Sequence, residues 1–419
     1  MTGPAQDRLL GDIRVLDLSD EKGLLCGRML ADLGADVIKV EKPGGDGARR
    51  RGPFYRDEPN PEKSLYWFAY NLNKRGITLD IKSAEGQALL KQLARRADVV
   101  IESFPVGYLD GLGIGYAALA KENPRLIMAA ISPFGQTGPY RDFKATDIVG
   151  MAMGGYLFLC GTPESPPVRV SCPQAYLHAA SEAAAAVLMA LFYRDHSGEG
   201  QYIDVSMQAS VTMNTLMAVP FWNLSGTILE RSGAFRVGLT SGTRQRQIWP
   251  CKDGQVNFVI YGGKAGSFRN KALVRWMDSE GMATEHLKQI DFASWDVFDI
   301  TEEEWERIEV PIGKFFMSHT KDDLLREGAQ WRVAVCPIAS PAEVVGSEQL
   351  RERDFWLEVA HPELGATLKY PGFCLRFTET PCRVWRRPPL IGEHNREIYG
   401  DELGLSPEEI ARLAREKVI

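Results

Sequence analysis

Several things are missing from this 419-residue sequence, and each absence removes a class of function. The start, MTGPAQDRLLGDIRVLDL, has no apolar segment behind a basic one, so no secretory signal is expected in it. No run of about 18 apolar residues offers a membrane span, and no membrane partner is expected. No CxxC pair occurs. The seven cysteines (Cys26, Cys160, Cys172, Cys251, Cys336, Cys374, Cys382) are scattered and odd in number, which predicts reduced thiols and a cytoplasmic setting. The six histidines form no HxH or HxxxH pair, so the sequence assigns no metal ligand. Positive charge is in deficit. A formal net charge of -6 argues against a sequence-blind nucleic-acid binder, whose affinity comes from Lys and Arg neutralising phosphates. Internal repeats and low-complexity tracts are absent as well.

What is present fits a soluble globular chain: 44% hydrophobic and 25% charged residues, with length for two or three domains. The first 140 residues alternate strand and helix signals. Short apolar runs at 13–18, 36–41, 77–81, 98–103 and 126–132 read as buried strands. Helical stretches at 26–34 and 83–97, the second with Ser83 as N-cap, separate them. This order predicts an α/β fold with a mainly parallel sheet covered by helices on both faces. Residues 174–195 read as one long, Ala-rich buried helix stopped by Gly198 and Gly200, followed by a strand at 201–206. Beyond about 240 the texture changes to a β-hairpin, 246–251 and 255–261 around Asp253-Gly254, and then to acidic helices. The expected domains are 1–225, a large N-terminal part; 226–335, a smaller α+β module; and 336–419, a linker and C-terminal segment returning to the large domain. The tail at 405–416 reads as an amphipathic helix with a Ser406–Glu409 capping box.

Several stretches occur together in one order: VLDLS (15–19), GRMLADLGADVIKVEKPGGD (27–46), NLNKRGITLDIKS (71–83), ISPFGQTGPYRD (131–142), SGEGQYIDVSM (197–207) and PPLIGEHNREIYGDELGLSPEEI (388–410). In that order and spacing they resemble the family III CoA-transferases (formyl-CoA transferase-like, CaiB/BaiF). Residues of about 225–380 carry much less of the match. The resemblance implies two interlocked subunits, each with a large and a small domain. It also implies CoA transfer between carboxylic acids, with coenzyme A or acyl-CoA as substrate and no covalently bound cofactor. In that chemistry an aspartate carboxylate attacks the acyl-CoA thioester and forms a mixed anhydride.

In this chain the aspartate's place, in PPVRVSCPQAYLHAASEAA, falls on Tyr176. A phenol with an intrinsic pKa near 10 is mostly neutral at pH 7 and would form a stable aryl ester where a reactive anhydride is needed. Tyr176 is therefore read as no nucleophile, and no catalytic residue is assigned. Two alternatives stay open. A register slip would hand the role to Asp147 or Glu182, although Glu182 lies nearly two helical turns away. A Cys172–His178 pair could supply a thiolate. A racemase is disfavoured, because Thr146 stands where the racemases of the superfamily carry histidine.

Coenzyme A presents phosphates, which call for Lys, Arg and backbone amides. By resemblance the candidate contacts are Arg28, Lys39, Lys42, Lys74, Arg75, Ser103 and Lys144, any one of which could instead be a solvated surface charge. Three departures weaken this pocket: Ser103 for asparagine in the family's E-N-F motif, Gly111 for an arginine, and the shorter turn DEKG (20–23). GLGIG (111–115) does not complete a dinucleotide loop. The leading expectation is a subunit that lacks the nucleophile and pairs with a catalytically competent paralogue, as in the heteromeric benzylsuccinate-type CoA-transferases. A self-sufficient transferase or isomerase and a non-enzymatic acyl-CoA-binding scaffold are the competing readings. Trp222, Trp249 and Trp276 are candidates for an aromatic acceptor pocket, and equally for core.

Overall fold

The computed structural model describes residues 7–237, 243–296 and 300–419. The chain forms two compact units. The first holds the residues up to Tyr156 together with Val170–Leu216 and Gln349–Ile419; the second holds Leu157–Arg169 and Met217–Glu348.

A six-stranded sheet, parallel throughout, organises the first unit. Its strands are β1 (Arg14–Asp17), β2 (Asp36–Glu41), β3 (Arg75–Thr78), β4 (Val99–Glu102), β5 (Ile127–Ser132) and β6 (Tyr202–Ser206), in the order β3-β2-β1-β4-β5-β6. Val15, Leu16, Ile38, Val99, Ile101 and Ile131 are shielded almost completely, as strands covered on both faces must be. Each such side chain contributes roughly 2 kcal/mol on burial. The strand order reverses between β1 and β4, and the loops leaving the carboxyl ends there open a crevice.

The parallel sheet and most of its elements fall where the sequence places them, with local shifts. β3 begins two residues before the expected start, because Arg75 and Gly76 already pair with Ile38 and Lys39, and it ends before Asp80. The next helix, Ala84–Ala94, starts on the Ser83 cap, whose Oγ accepts from Gly86 N at 3.0 Å. The exposed edge of β3 is covered by the C-terminal segment: His394 N donates to Gly76 O at 2.9 Å, and Tyr399 Oη donates to Thr78 O at 2.8 Å. The tail helix is Pro407–Arg415, with the Ser406–Glu409 capping box in place.

The long helix runs Gln174–Ser197 and stops at Gly198, which takes φ = 78°. Among the described helices it alone is long and apolar enough to cross a membrane. Only one face is buried: Ala175, Ala179, Ala183, Val187 and Ala190 pack inward, whereas Met189, Phe192 and Tyr193 are more than half exposed. The expected buried helix is thus buried on its Ala-rich face, with the other face open.

In the second unit the hairpin is shorter than expected. Ile248–Cys251 pairs with Gly254–Asn257, Cys251 opposite Gly254, so the turn residues are Lys252 and Asp253 and the strand ends at Asn257. Cys336–Pro337 adds a third strand against Val256 and Asn257, which places residues 336–348 in this unit and not in the returning segment. Residues 157–169 join it too, through Gly233 N donating to Gly161 O at 2.9 Å. The helices Gly263–Ser279, Glu302–Ser318 and Lys321–Trp331 close a core built on Trp249, Phe258, Trp276, Phe315 and Phe316. Trp249 and Trp276 are thus core residues, while Trp222 is exposed. Cys26, Cys172, Cys251, Cys336, Cys374 and Cys382 take part in no disulfide.

Candidate active site

β1 ends in Asp17, a fully buried carboxylate, and the charges around it are satisfied one by one. Lys74 Nζ donates to Asp17 Oδ2 at 2.8 Å, to Leu24 O at 2.8 Å and to Asn71 Oδ1 at 3.1 Å, which uses all three of its donors. Lys39 Nζ lies 3.7 Å from Asp17 Oδ1 and donates to the carbonyls of Asp17 and Ser19. Burial opposes charge on Asp17, but the ammoniums of Lys39 and Lys74 hold its carboxyl below the usual range. Gly27 makes this packing feasible, since a Cβ there would stand 2.3 Å from Asp17 Oδ2.

A cavity of about 240 Å³ lies at the carboxyl ends of the strands. Asp20, Lys42, Asp46, Lys82, Ser103 and Tyr108 are among its lining. The 42–47 loop is fixed by Glu41, which accepts from Asp46 N at 2.7 Å and pairs with buried Arg49 at 2.6 Å. Asp20 and Ser103 are bonded to each other: Ser103 Oγ donates to Asp20 Oδ1 and accepts from Asp20 N, both at 2.8 Å. Two of the departures noted in the sequence, the DEKG turn and the serine, therefore complete one another. Behind Tyr108 lies a second hollow of about 500 Å³, lined by Glu102, Arg141, Tyr116 and Tyr202 among others. Burial pushes the Glu102 carboxyl up to about 7, against the hydrogen bond it accepts from Phe104 N.

Tyr176 sits in the first turn of the long helix, largely buried. Its backbone N donates to Asp147 Oδ1 at 3.2 Å. Burial first, then the charges of Glu21, Asp20 and Asp147, raises its phenol above the ordinary value. The hydroxyl is neutral at physiological pH and the acids' charges oppose its ionisation, the reverse of what activates an oxygen nucleophile. Glu182 is exposed, and no hydrogen bond joins Cys172 to His178 among the described residues.

The seven candidate phosphate contacts separate sharply. Lys39 and Lys74 are spent on Asp17. Arg75 is bound to Asp36, Glu397 and Glu402. Arg28 is tied to Asp32 at 3.2 Å and to Pro371 O at 3.3 Å, besides Ala69 O. In this structure the charges of these four are met by protein partners. Ser103 and Lys42 line the cavity; Lys144 is exposed but is not part of the lining. Lys82 was missed by the sequence reading. It lies in the turn between β3 and the helix that starts at Ala84, and a position in the loop beyond the carboxyl end of a parallel strand was the available signal.

A sequence profile described as CoA-transferase family III matches residues 10–395. Subunit BbsE of the succinyl-CoA:(R)-benzylsuccinate CoA-transferase of Thauera aromatica is 36% identical over 410 residues, 96% of each chain. The succinyl-CoA–D-citramalate CoA-transferase of Chloroflexus aurantiacus is 34% identical over 422 residues, covering 100% of both. Among solved structures, a CAIB/BAIF family protein from Brucella suis aligns with a TM-score of 0.78 at 28% identity, over 93% of this chain and 98% of that one.

Proposed function

This chain belongs to CoA-transferase family III, and from that premise we propose that it is the subunit without a nucleophile in a heteromeric CoA-transferase. The observation that carries this reading is the buried, neutral phenol of Tyr176 among Asp20, Glu21 and Asp147. A paralogous subunit supplies the aspartate that takes up the acyl group, and this chain supports it across an interlocked interface. The exposed stripe of Met189, Phe192 and Tyr193, spaced i, i+3, i+4 on the long helix, favours a protein partner on that face. Succinyl-CoA is proposed as donor, because the names of both enzyme relatives specify it. An aromatic dicarboxylate such as benzylsuccinate is proposed as acceptor by likeness to the Thauera subunit alone.

The test is CoA exchange between succinyl-CoA and benzylsuccinate, followed chromatographically with the chain alone and with its paralogue, and with borohydride to trap an enzyme anhydride. Turnover and a trapped anhydride are expected only in the pair, the anhydride on the paralogue. Turnover by the chain alone, lost in Asp147→Asn, would establish the competing self-sufficient enzyme. No turnover by the chain alone or in the pair would leave the non-enzymatic acyl-CoA-binding scaffold.

A further inference from the structure

In the second unit, Glu280, His319 and Glu327 are brought together with ligating atoms all within 4.8 Å of one another. They come from three helices. Glu280 is the C-cap of Gly263–Ser279, His319 is the C-cap of Glu302–Ser318, and Glu327 lies on Lys321–Trp331. Two helix C-termini thus bring their partial negative charge to one place, which favours a cation there.

The histidine's tautomer follows from its neighbours. His319 Nδ1 is 2.9 Å from Phe315 O and 3.0 Å from Ser318 Oγ; with the Ser318 hydroxyl donating to Phe315 O at 2.7 Å, a proton on Nδ1 satisfies all three groups. The other ring nitrogen, Nε2, lies 3.2 Å from Glu280 Oε1. A neutral ring in that tautomer turns a lone pair toward a carboxylate, an arrangement that a positive ion between them relieves. In a tetrahedral zinc site, bonds of about 2.0–2.2 Å put neighbouring ligand atoms roughly 3.4 Å apart, so this pair already stands at ligand spacing. Trp276 Nε1 donates to Glu280 Oε1 at 2.8 Å, the type of outer bond that aims a ligating carboxylate. Arg326, at 3.8 Å, is the cation paired with Glu327.

We propose that Glu280, His319 and Glu327 bind a divalent transition-metal ion, with Zn²⁺ the best match. Two carboxylates balance its charge. The imidazole selects against Mg²⁺ and Ca²⁺. Glu280 and Glu327 keep side-chain exposures of 33% each, which leaves water access to a fourth position. The ion ties the C-terminal ends of two helices to a third helix and takes no part in acyl transfer.

The test uses the full chain, stripped with a chelator and titrated with zinc sulfate by calorimetry, with Co²⁺ absorption as a second readout. One-to-one uptake with a raised Tm is expected. His319→Ala should abolish it, and Trp276→Phe should weaken it by roughly 10-fold. Glu327→Gln, on a part-exposed residue, should weaken it at least as much, and it carries the test if His319→Ala fails to fold. Absence of one-to-one uptake overturns the proposal, as a plain imidazolium–carboxylate pair would give. So does uptake unchanged in the variants, the signature of ligation by exposed Cys172, Cys336 or Cys374.

Discussion

The buried charge cluster at the end of β1, a floor within the sheet's own packing, and the lining of the switch-point crevice, its rim, are built from the same residue types and behave in opposite ways. On the floor, Asp17, Lys39 and Lys74 are fully buried and every charge is answered within hydrogen-bond or ion-pair distance. On the rim, Lys42 and Lys82 are exposed, and acids such as Asp20 and Asp46 share the lining with them. Charge that is buried and matched holds a fold in place; charge that faces solvent is what an anionic ligand can use. The floor is matched as a scaffold, whereas Tyr176, in the first turn of the long helix, presents a buried phenol whose ionisation is opposed by burial and by nearby acids.

The contrast breaks most visibly at Asp17. Asp17→Asn leaves two ammoniums without their anion, and losing one partner of a buried pair costs about 3–5 kcal/mol. A fall in Tm of roughly 5 °C is expected by calorimetry or circular dichroism. A loss of only a degree or two would mean that Lys39 and Lys74 are not held as described.

Glu102, on the last residue of β4, sharpens the contrast through pH. Its folded pKa of about 7 stands above the ordinary 4.5, so between those values the folded chain keeps a proton that the unfolded chain has released. The stabilisation is complete below pH 4.5 and is lost as pH rises through 7, by roughly 3 kcal/mol at most. Glu102→Gln should remove this part of the pH dependence of the urea midpoint between pH 5 and 7.5. Identical slopes in the two proteins would contradict it.

Much of this architecture was legible because it rests on local patterns: apolar runs for the strands, Ser83 and Ser406 for helix starts, Gly198 for a helix end. The position of Tyr176 was legible through its sequence context. What escaped was pairing at a distance. Nothing in sequence tells that Lys74 turns inward to Asp17, 57 residues away, while Lys82 faces the cavity. Likewise Glu280, His319 and Glu327 lie on three helices and leave no spacing motif.

On the rim, Lys42→Ala with Lys82→Ala should lower the chain's affinity for coenzyme A by roughly tenfold at low salt and weaken its salt dependence. Stability should change by less than about 0.5 kcal/mol, the usual range for surface substitutions. A large loss of stability would make these lysines part of the floor.

The smallest effect is expected where the chemistry looks simplest. Tyr176→Asp restores a carboxylate in the first turn of the long helix, yet it does so among Asp20, Glu21 and Asp147, whose charges disfavour a further anion. Ser103 stays committed to Asp20, and no arginine returns at Gly111. Transfer by the variant alone should therefore remain at background in the succinyl-CoA assay, with no anhydride trapped by borohydride. A strong gain of solo transfer would show that the rim was competent all along and that the phenol alone had silenced it.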